Sequence, residues 1–168
     1  AASAASATAF RYFDLWSSSR TWDGADPPED GSTVHIPSSQ KVLLDVQPAS
    51  LFLLIIDGGE LVFGQRDLNL TASYILVTNG GHLEIGSPTD PFRHQCLLTL
   101  TGHATDPELP FFGSSVLALS GGTLDIHGAP AVAWTRLHDT AASGSAELRL
   151  QGSVNWQSGD DVVIASST

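Results

Sequence analysis

The chain has a single cysteine, only seven lysines and arginines in 168 residues, and no unbroken apolar run longer than residues 51–56. The lone Cys96 excludes an intramolecular disulfide, so cysteine usage carries no signal about compartment. Seven basic residues against 18 acidic ones give a formal charge of −11. That balance excludes the clustered basic surface a nucleic acid requires and disfavours an anionic membrane leaflet. The longest apolar stretch is far short of a membrane span, so no direct membrane insertion is expected. Residues 1–9 are small, without a basic n-region or a leucine-rich centre, and do not read as a signal peptide. They read as a processed end or a fragment boundary. No segment carries an apolar stripe of period 3.6, so little helix is expected.

What the chain does have is a β core. Charged residues make up 15% of it, and leucine, valine and isoleucine are abundant, which speaks against disorder. Its length suits one domain that buries about two-thirds of the unfolded surface. Residues 17–168 are predicted to form that domain, with residues 1–16 a flexible segment able to add a cap strand through Phe10, Tyr12 and Leu15. Cys96 is expected to be a small buried hydrophobe.

Three near-copies of one phrase organise the sequence. Gly58-Gly59-Glu60-Leu61-Val62-Phe63-Gly64 is followed by Gly80-Gly81-His82-Leu83-Glu84-Ile85-Gly86, then by Gly121-Gly122-Thr123-Leu124-Asp125-Ile126-His127-Gly128. The first two copies start 22 residues apart and the next two 41 apart, close to two such steps. In Leu-x-Ile/Phe the outer two side chains share one strand face, while Val62, Glu84 and Asp125 point the other way. Leu61, Phe63, Leu83, Ile85, Leu124 and Ile126 are therefore expected to stack inward. Each glycine pair suits a corner needing positive φ, or one where stacked backbones leave no room for a Cβ. A period near 20 residues reads as a solenoid, specifically a right-handed parallel β-helix of about five to seven short coils. The competing reading is a sandwich with hairpins at Asp57-Gly58 and Asn79-Gly80.

Strands are predicted at 33–36, 41–45, 51–56, 60–63, 73–78, 82–85, 96–101, 115–120, 123–127, 132–137, 146–151 and 161–165. Residues 51–56 read as a strand buried on both faces. Residues 17–31 form a polar, acidic loop. Asn69-Leu70-Thr71 is an N-glycosylation acceptor, which places Asn69 on an exposed loop or an outward strand face.

The chemistry-bearing residues are scattered. His35, His82, His94, His103, His127 and His138 lack the short spacings of a zinc site and are read as solvent-facing, so no metal or cofactor is expected. Stacking one coil apart would still bring His82 near His103, or His103 near His127. Glu60, Glu84 and Asp125 hold near-equivalent points of the repeat and would form an acidic ladder. On β-helix enzymes, neighbouring outer-face carboxylates perform acid–base work. The basic residues Arg11, Arg20, Lys41, Arg66, Arg93, Arg136 and Arg149 show no cluster in sequence to support such chemistry, so a solvated face is expected and no catalytic residue is assigned. Asp23, Asp26, Glu29 and Asp30 lack the calcium-loop spacing. Trp22 and Trp156, beside glycine-aspartate turns, are expected to cap the ends of the stack or to serve as sugar-stacking platforms.

Taken in order, Trp22-Asp23-Gly24, Val34-His35-Ile36-Pro37, Val42-Leu43-Leu44-Asp45, the three glycine phrases, Trp134-Thr135-x-Leu137 and Gly159-Asp160-x-Val162-Val163-Ile164 resemble the eight-glycine domain family. That family occurs in fibrocystin, fibrocystin-L and the cell-surface and cell-migration-inducing hyaluronidases, and this chain is most similar to the fibrocystin type. The resemblance implies a non-catalytic extracellular module of a large membrane-anchored protein, followed in the parent chain by further β-helix repeats. Its implied partners are proteins or neighbouring domains, with glycan as a further ligand class. The alternative it carries is part of a glycan-processing enzyme of the hyaluronidase kind.

Overall fold

The computed structural model describes residues 11–102, 105, 108 and 112–165. Among them the chain is all-β, with one four-residue 3₁₀ turn at Ser19–Trp22. The strands are β1 (Asp14–Leu15), β2 (Thr33–Pro37), β3 (Lys41–Leu44), β4 (Leu51–Asp57), β5 (Glu60–Phe63), β6 (Leu68–Thr78), β7 (His82–Ile85), β8 (Cys96–Leu100), β9 (Val116–Ser120) and β10 (Thr123–Ile126). One sheet runs β1-β3-β5-β7-β10; the other runs β2-β4-β6-β8, with β9 also on β6. Every pairing between these strands is parallel. The strands flanking Asp57-Gly58 and Asn79-Gly80 lie in different sheets. Neither pair therefore makes a hairpin.

Register converts the sequence repeat into ladders. Leu61 pairs with Val42 on one side and Leu83 on the other, and Leu83 pairs with Leu124. In the second sheet Leu54 lies between Val34 and Ile75, and Ile56 between Ile36 and Val77. Val42, Leu61, Leu83, Leu54, Ile56, Ile75, Ile36 and Val77 have no accessible surface. Each such side chain contributes about 1.5–3 kcal/mol through burial. β6 turns a corner within its length: Leu68, Leu70 and Ala72 are buried in one parity, then Ile75 and Val77 in the other. Its first half pairs with β8 and its second with β9.

The glycine pairs meet both conditions, divided one per residue at Gly80-Gly81 and Gly121-Gly122, while Gly58 has positive φ and also would place a Cβ 2.9 Å from Ser38 Cβ. Gly80 has φ +81° and open space where a Cβ would stand. Gly81 would place a Cβ 2.2 Å from the Ile56 carbonyl oxygen, which no side chain tolerates. The same close approach recurs at Gly59, 2.4 Å from the Pro37 oxygen, and at Gly122, 2.6 Å from Val77 Cγ1. Of the closing glycines, Gly86 would meet the His127 oxygen at 2.4 Å and Gly64 the Leu44 oxygen at 3.0 Å, while Gly128 has nothing nearby.

Several expectations are corrected. Tyr12 is 80% exposed and Leu15 is exposed as well; the N-terminal anchor is instead Trp16, only 1% exposed. Phe10 lies outside the described residues. Residues 51–56 are not buried on both faces: Phe52 is exposed and Leu53 and Ile55 are half-buried, because among the described residues no helix covers the outer face of this sheet. Leu124 packs against the core, but Ile126 in the last strand of its sheet is 55% exposed, having no strand beyond it. The strands expected at 132–137, 146–151 and 161–165 are absent. The chain divides into compact units of residues 1–128 and 129–168. In the second, an antiparallel bridge between Leu137 and Leu150 and side-chain bonds from Asn155 to the residue 130 and 132 backbone replace a ladder. Apolar alternation alone makes no strand where no neighbouring strand offers its hydrogen bonds.

Replacing Leu83 by alanine should lower unfolding free energy by about 2–5 kcal/mol in urea titrations. Ile126→Ala, at a half-exposed site, should cost under about 1 kcal/mol. Equal losses would contradict the inward ladder.

Candidate functional site on the outer face of the first sheet

With Leu61, Phe63, Leu83 and Ile85 committed inward, period-two alternation forces Glu60 and Val62 of β5, and His82 and Glu84 of β7, to the outer face. Register then lines up Lys41, Glu60, His82 and Thr123 in one row, and Leu43, Val62, Glu84 and Asp125 in the next. Adjacent strands lie about 4.8 Å apart, so neighbours in a row are within side-chain reach.

The charges in these rows meet. Lys41 Nζ lies 3.0 Å from Glu60 Oε2. His82 Nδ1 is 3.7 Å from Glu60 Oε1, and its Nε2 is 2.9 Å from Asp125 Oδ2. Arg11 crosses from the N-terminal segment, stacks over the Phe13 ring at 5.0 Å, donates to Glu84 Oε2 at 3.1 and 3.2 Å, and also donates to Glu60. Glu60 is 6% exposed and Glu84 9%. A carboxylate so shielded from water is tolerated only when paired. Arg11 and Lys41 supply the pairing.

The three carboxylates do share this face, in two adjacent rows, and His82 belongs to the group; the face is not solvated as expected, because Arg11 and Lys41 cover the buried Glu60 and Glu84. The basic residues that looked unclustered converge: Arg11 and Lys41 meet on Glu60. Lys41 was legible, since Gln40-Lys41-Val42-Leu43-Leu44 holds the same place in the repeat as Gly59-Glu60-Leu61-Val62-Phe63, 19 residues on. Arg11 lies outside the repeat, and nothing in the pattern signals it. His103 lies outside the described residues. His127 does not join the cluster; its backbone N–H donates to the Ile85 oxygen at 2.8 Å and its oxygen accepts from Phe92 N–H at 2.7 Å. Glu60, His82 and Glu84 are the one group with metal-ligand spacing among the described residues. The acidic loop at 23–30 does not converge; Asp30 instead accepts the Ser50 N–H at 2.8 Å.

On the second sheet, Asp57 sits between His35 Nε2, at 3.3 Å, and Asn79 Nδ2, at 2.6 Å. The hydrogen bond from Asn79, and secondarily that with His35, holds its carboxyl below the ordinary value. Half-buried Cys96 has its thiol pushed up by desolvation. Asn69 is exposed on the outward side of β6, opposite Leu97 of β8, with its backbone N–H donated to Gln47 Oε1 at 2.9 Å. Trp22 meets Trp16 edge-on at 5.0 Å and donates its indole N–H to the Trp16 oxygen at 2.8 Å. It packs against the core as a cover. Trp156 is half-buried in the second unit and donates its indole N–H to the Val132 oxygen.

Comparison with known proteins adds a family. The model of the G8 domain matches residues 21–138. Over 159 residues the chain is 48% identical to fibrocystin-L of Homo sapiens, a match covering 94% of this chain and 4% of that protein. It is 39% identical over 157 residues to fibrocystin of Canis lupus familiaris, covering 90% of the chain and 4% of that protein. It is 35% identical over 123 residues to the cell surface hyaluronidase of Danio rerio, covering 67% of the chain and 9% of that protein. The chain thus spans only a small part of the length of each.

The lowered Asp57 carboxyl has a direct check. Its contribution to stability is present above the unfolded carboxylate range and is lost as pH falls through the depressed folded value. Asn79 has φ 52°, so glycine is the substitution that keeps this backbone unstrained. Asn79→Gly should move the Asp57 titration, followed by NMR, upward toward the ordinary value. An unmoved titration would mean Asn79 does not hold it.

Proposed function

The chain belongs to the G8 domain family, and on that premise we propose that it is a non-catalytic structural and recognition module. Its setting is the extracellular face of a large, membrane-anchored, receptor-like protein. In this reading the two parallel sheets are coils of a right-handed β-helix. Its natural partners are the neighbouring β-helix domains of the parent chain or other proteins, with a glycan as a further ligand class. An N-glycan on Asn69 fits the exposed outward position of that residue.

The observation that carries the reading is the pairing on the outer face. Glu60 is engaged by Lys41 and Arg11, Glu84 by Arg11, and Asp125 by His82. Charges from β3, β5, β7, β10 and the N-terminal segment are stitched together across the sheet. Glycoside hydrolysis needs one carboxyl group kept as a proton donor and a second placed against water or the sugar. Glu60, shared between two cations, and Glu84, held by Arg11, are poorly suited to either task. The family and the parallel stack support a scaffold, and the ion pairs support coils locked to one another.

A second reading rests on the same residues. Glu60, His82, Glu84 and Asp125 do stand together, and one relative is named a cell surface hyaluronidase. Incubating the purified chain with hyaluronan oligosaccharides, and screening it on a glycan array, separates the two. The expected outcome is no shortening of the oligosaccharides, with array binding defining the recognition role. Cleavage that disappears in Glu84→Gln would overturn the module reading in favour of the enzyme.

A further inference from the structure

We propose that Glu60, His82 and Glu84 form a binding site for a divalent transition-metal ion of the zinc class, and that the Arg11 guanidinium is the resident cation such an ion displaces. The site is independent of whether the module binds glycans.

The ligand set is one imidazole nitrogen and two carboxylates, with one ligand atom from each lying within 4.8 Å of the others. Ligands about 2.0–2.2 Å from a zinc ion stand some 3–4 Å from one another. His82 Nδ1 and Glu60 Oε1, at 3.7 Å, are already spaced in that way. The remaining closure, about 1 Å, lies within the swing of a glutamate side chain. All three residues sit on paired strands, β5 and β7, whose register fixes their backbones.

The histidine's orientation points the same way. The 2.9 Å contact of Nε2 with Asp125 Oδ2 fits the tautomer protonated at Nε2, which leaves Nδ1 a lone pair toward the Glu60 carboxylate. That lone pair faces a carboxylate oxygen now held by Arg11 and can join it on a metal ion once Arg11 leaves. A carboxylate that orients a histidine, which in turn offers its other nitrogen to a metal, is the recurrent outer-sphere arrangement at zinc sites.

Charge sets the valence. Glu60, Glu84 and Asp125 carry three negative charges, against which Arg11 and Lys41 bring two positive ones when His82 is neutral. Exchanging the single charge of Arg11 for a dication closes the deficit. The imidazole and the small carboxylate count favour zinc-class ions over calcium, which takes six to eight oxygens.

Access and exchange are built in. A surface depression of about 190 Å³ lined by Lys41, Glu60 and His82 reaches the cluster. The Arg11 side chain is 45% exposed and precedes β1, so it can swing away without unpairing a strand. Its two carboxylate partners mark where a cation is held.

The test titrates the full chain with Co²⁺, read by its visible absorption, and with Zn²⁺ by calorimetry, in wild type, Arg11→Gln, His82→Gln and Asp125→Asn. One ion per chain is expected. Arg11→Gln should bind about tenfold more tightly, and zinc should raise its melting temperature more than that of the wild type. Asp125→Asn should weaken binding about 10–100-fold, and His82→Gln should abolish it, with circular dichroism confirming that each variant is folded. If His82→Gln fails to fold, Arg11→Gln and Asp125→Asn decide the matter alone. Absence of binding in Arg11→Gln, or an affinity in His82→Gln equal to wild type, would overturn the assignment. The latter would place the ion at His35–Asp57 or His94–Asp67 instead.

Discussion

The rest of the structure depends on how closely each glycine corner lies over the end of the neighbouring parallel strand. At Gly81 the backbone comes so near the Ile56 carbonyl that only a hydrogen fits where a side chain would stand. The same contact recurs between Gly59 and the Pro37 oxygen and between Gly122 and Val77. Because the corner is closed down in this way, His82 N–H reaches the Gly59 oxygen at 2.9 Å and Thr123 N–H the Gly81 oxygen at 2.8 Å. Those bonds start the strands in register. Register in turn decides that leucine stacks on leucine inside and that charged residues stack on charged residues outside.

The outer face then poses an electrostatic problem that the inner face does not. Glu60 in one row and Glu84 and Asp125 in the next bring three carboxylates onto one face, and like charges a strand apart repel. The chain interleaves two cations and an imidazole instead. Lys41 stands before Glu60 in its row, His82 sits between Glu60 and Asp125, and Arg11 arrives from outside the repeat to bridge Glu60 and Glu84. One arrangement thus serves stability and creates a cation-binding geometry. The functional proposals both grow from it: a locked scaffold while Arg11 is in place, and a metal site when Arg11 yields.

Much of this was legible because the repeat encodes it. The Gly-Gly-x-Leu-x-apolar phrase marks corner, inward side chains and outward charges, and β5, β7 and β10 fall where it places them. What the phrase does not encode was missed. Arg11 is 73 residues from Glu84 in the chain, and no local pattern can announce such a meeting. Trp16 replaced Tyr12 and Leu15 as the N-terminal anchor because pairing of β1 with β3 brings its N–H to the Leu43 oxygen at 2.9 Å, directing the indole inward. Beyond residue 128 the apolar alternation persists, yet hydrogen bonds to Asn155 and a single antiparallel bridge take the place of parallel pairing. A strand is a property of two neighbours, and one sequence segment reports on only one of them.

At the Gly80-Gly81 corner the second glycine, rather than the first, sets the stacking distance. Equilibrium unfolding of Gly80→Ala and Gly81→Ala, compared under one set of conditions, tests it most directly. At Gly80 an alanine meets open space and bears only the strain of positive φ, about 1–2 kcal/mol. At Gly81 it must push the Ile56 carbonyl away and break the register above it, so the loss should be clearly larger. Equal losses, or a larger loss at Gly80, would contradict the account.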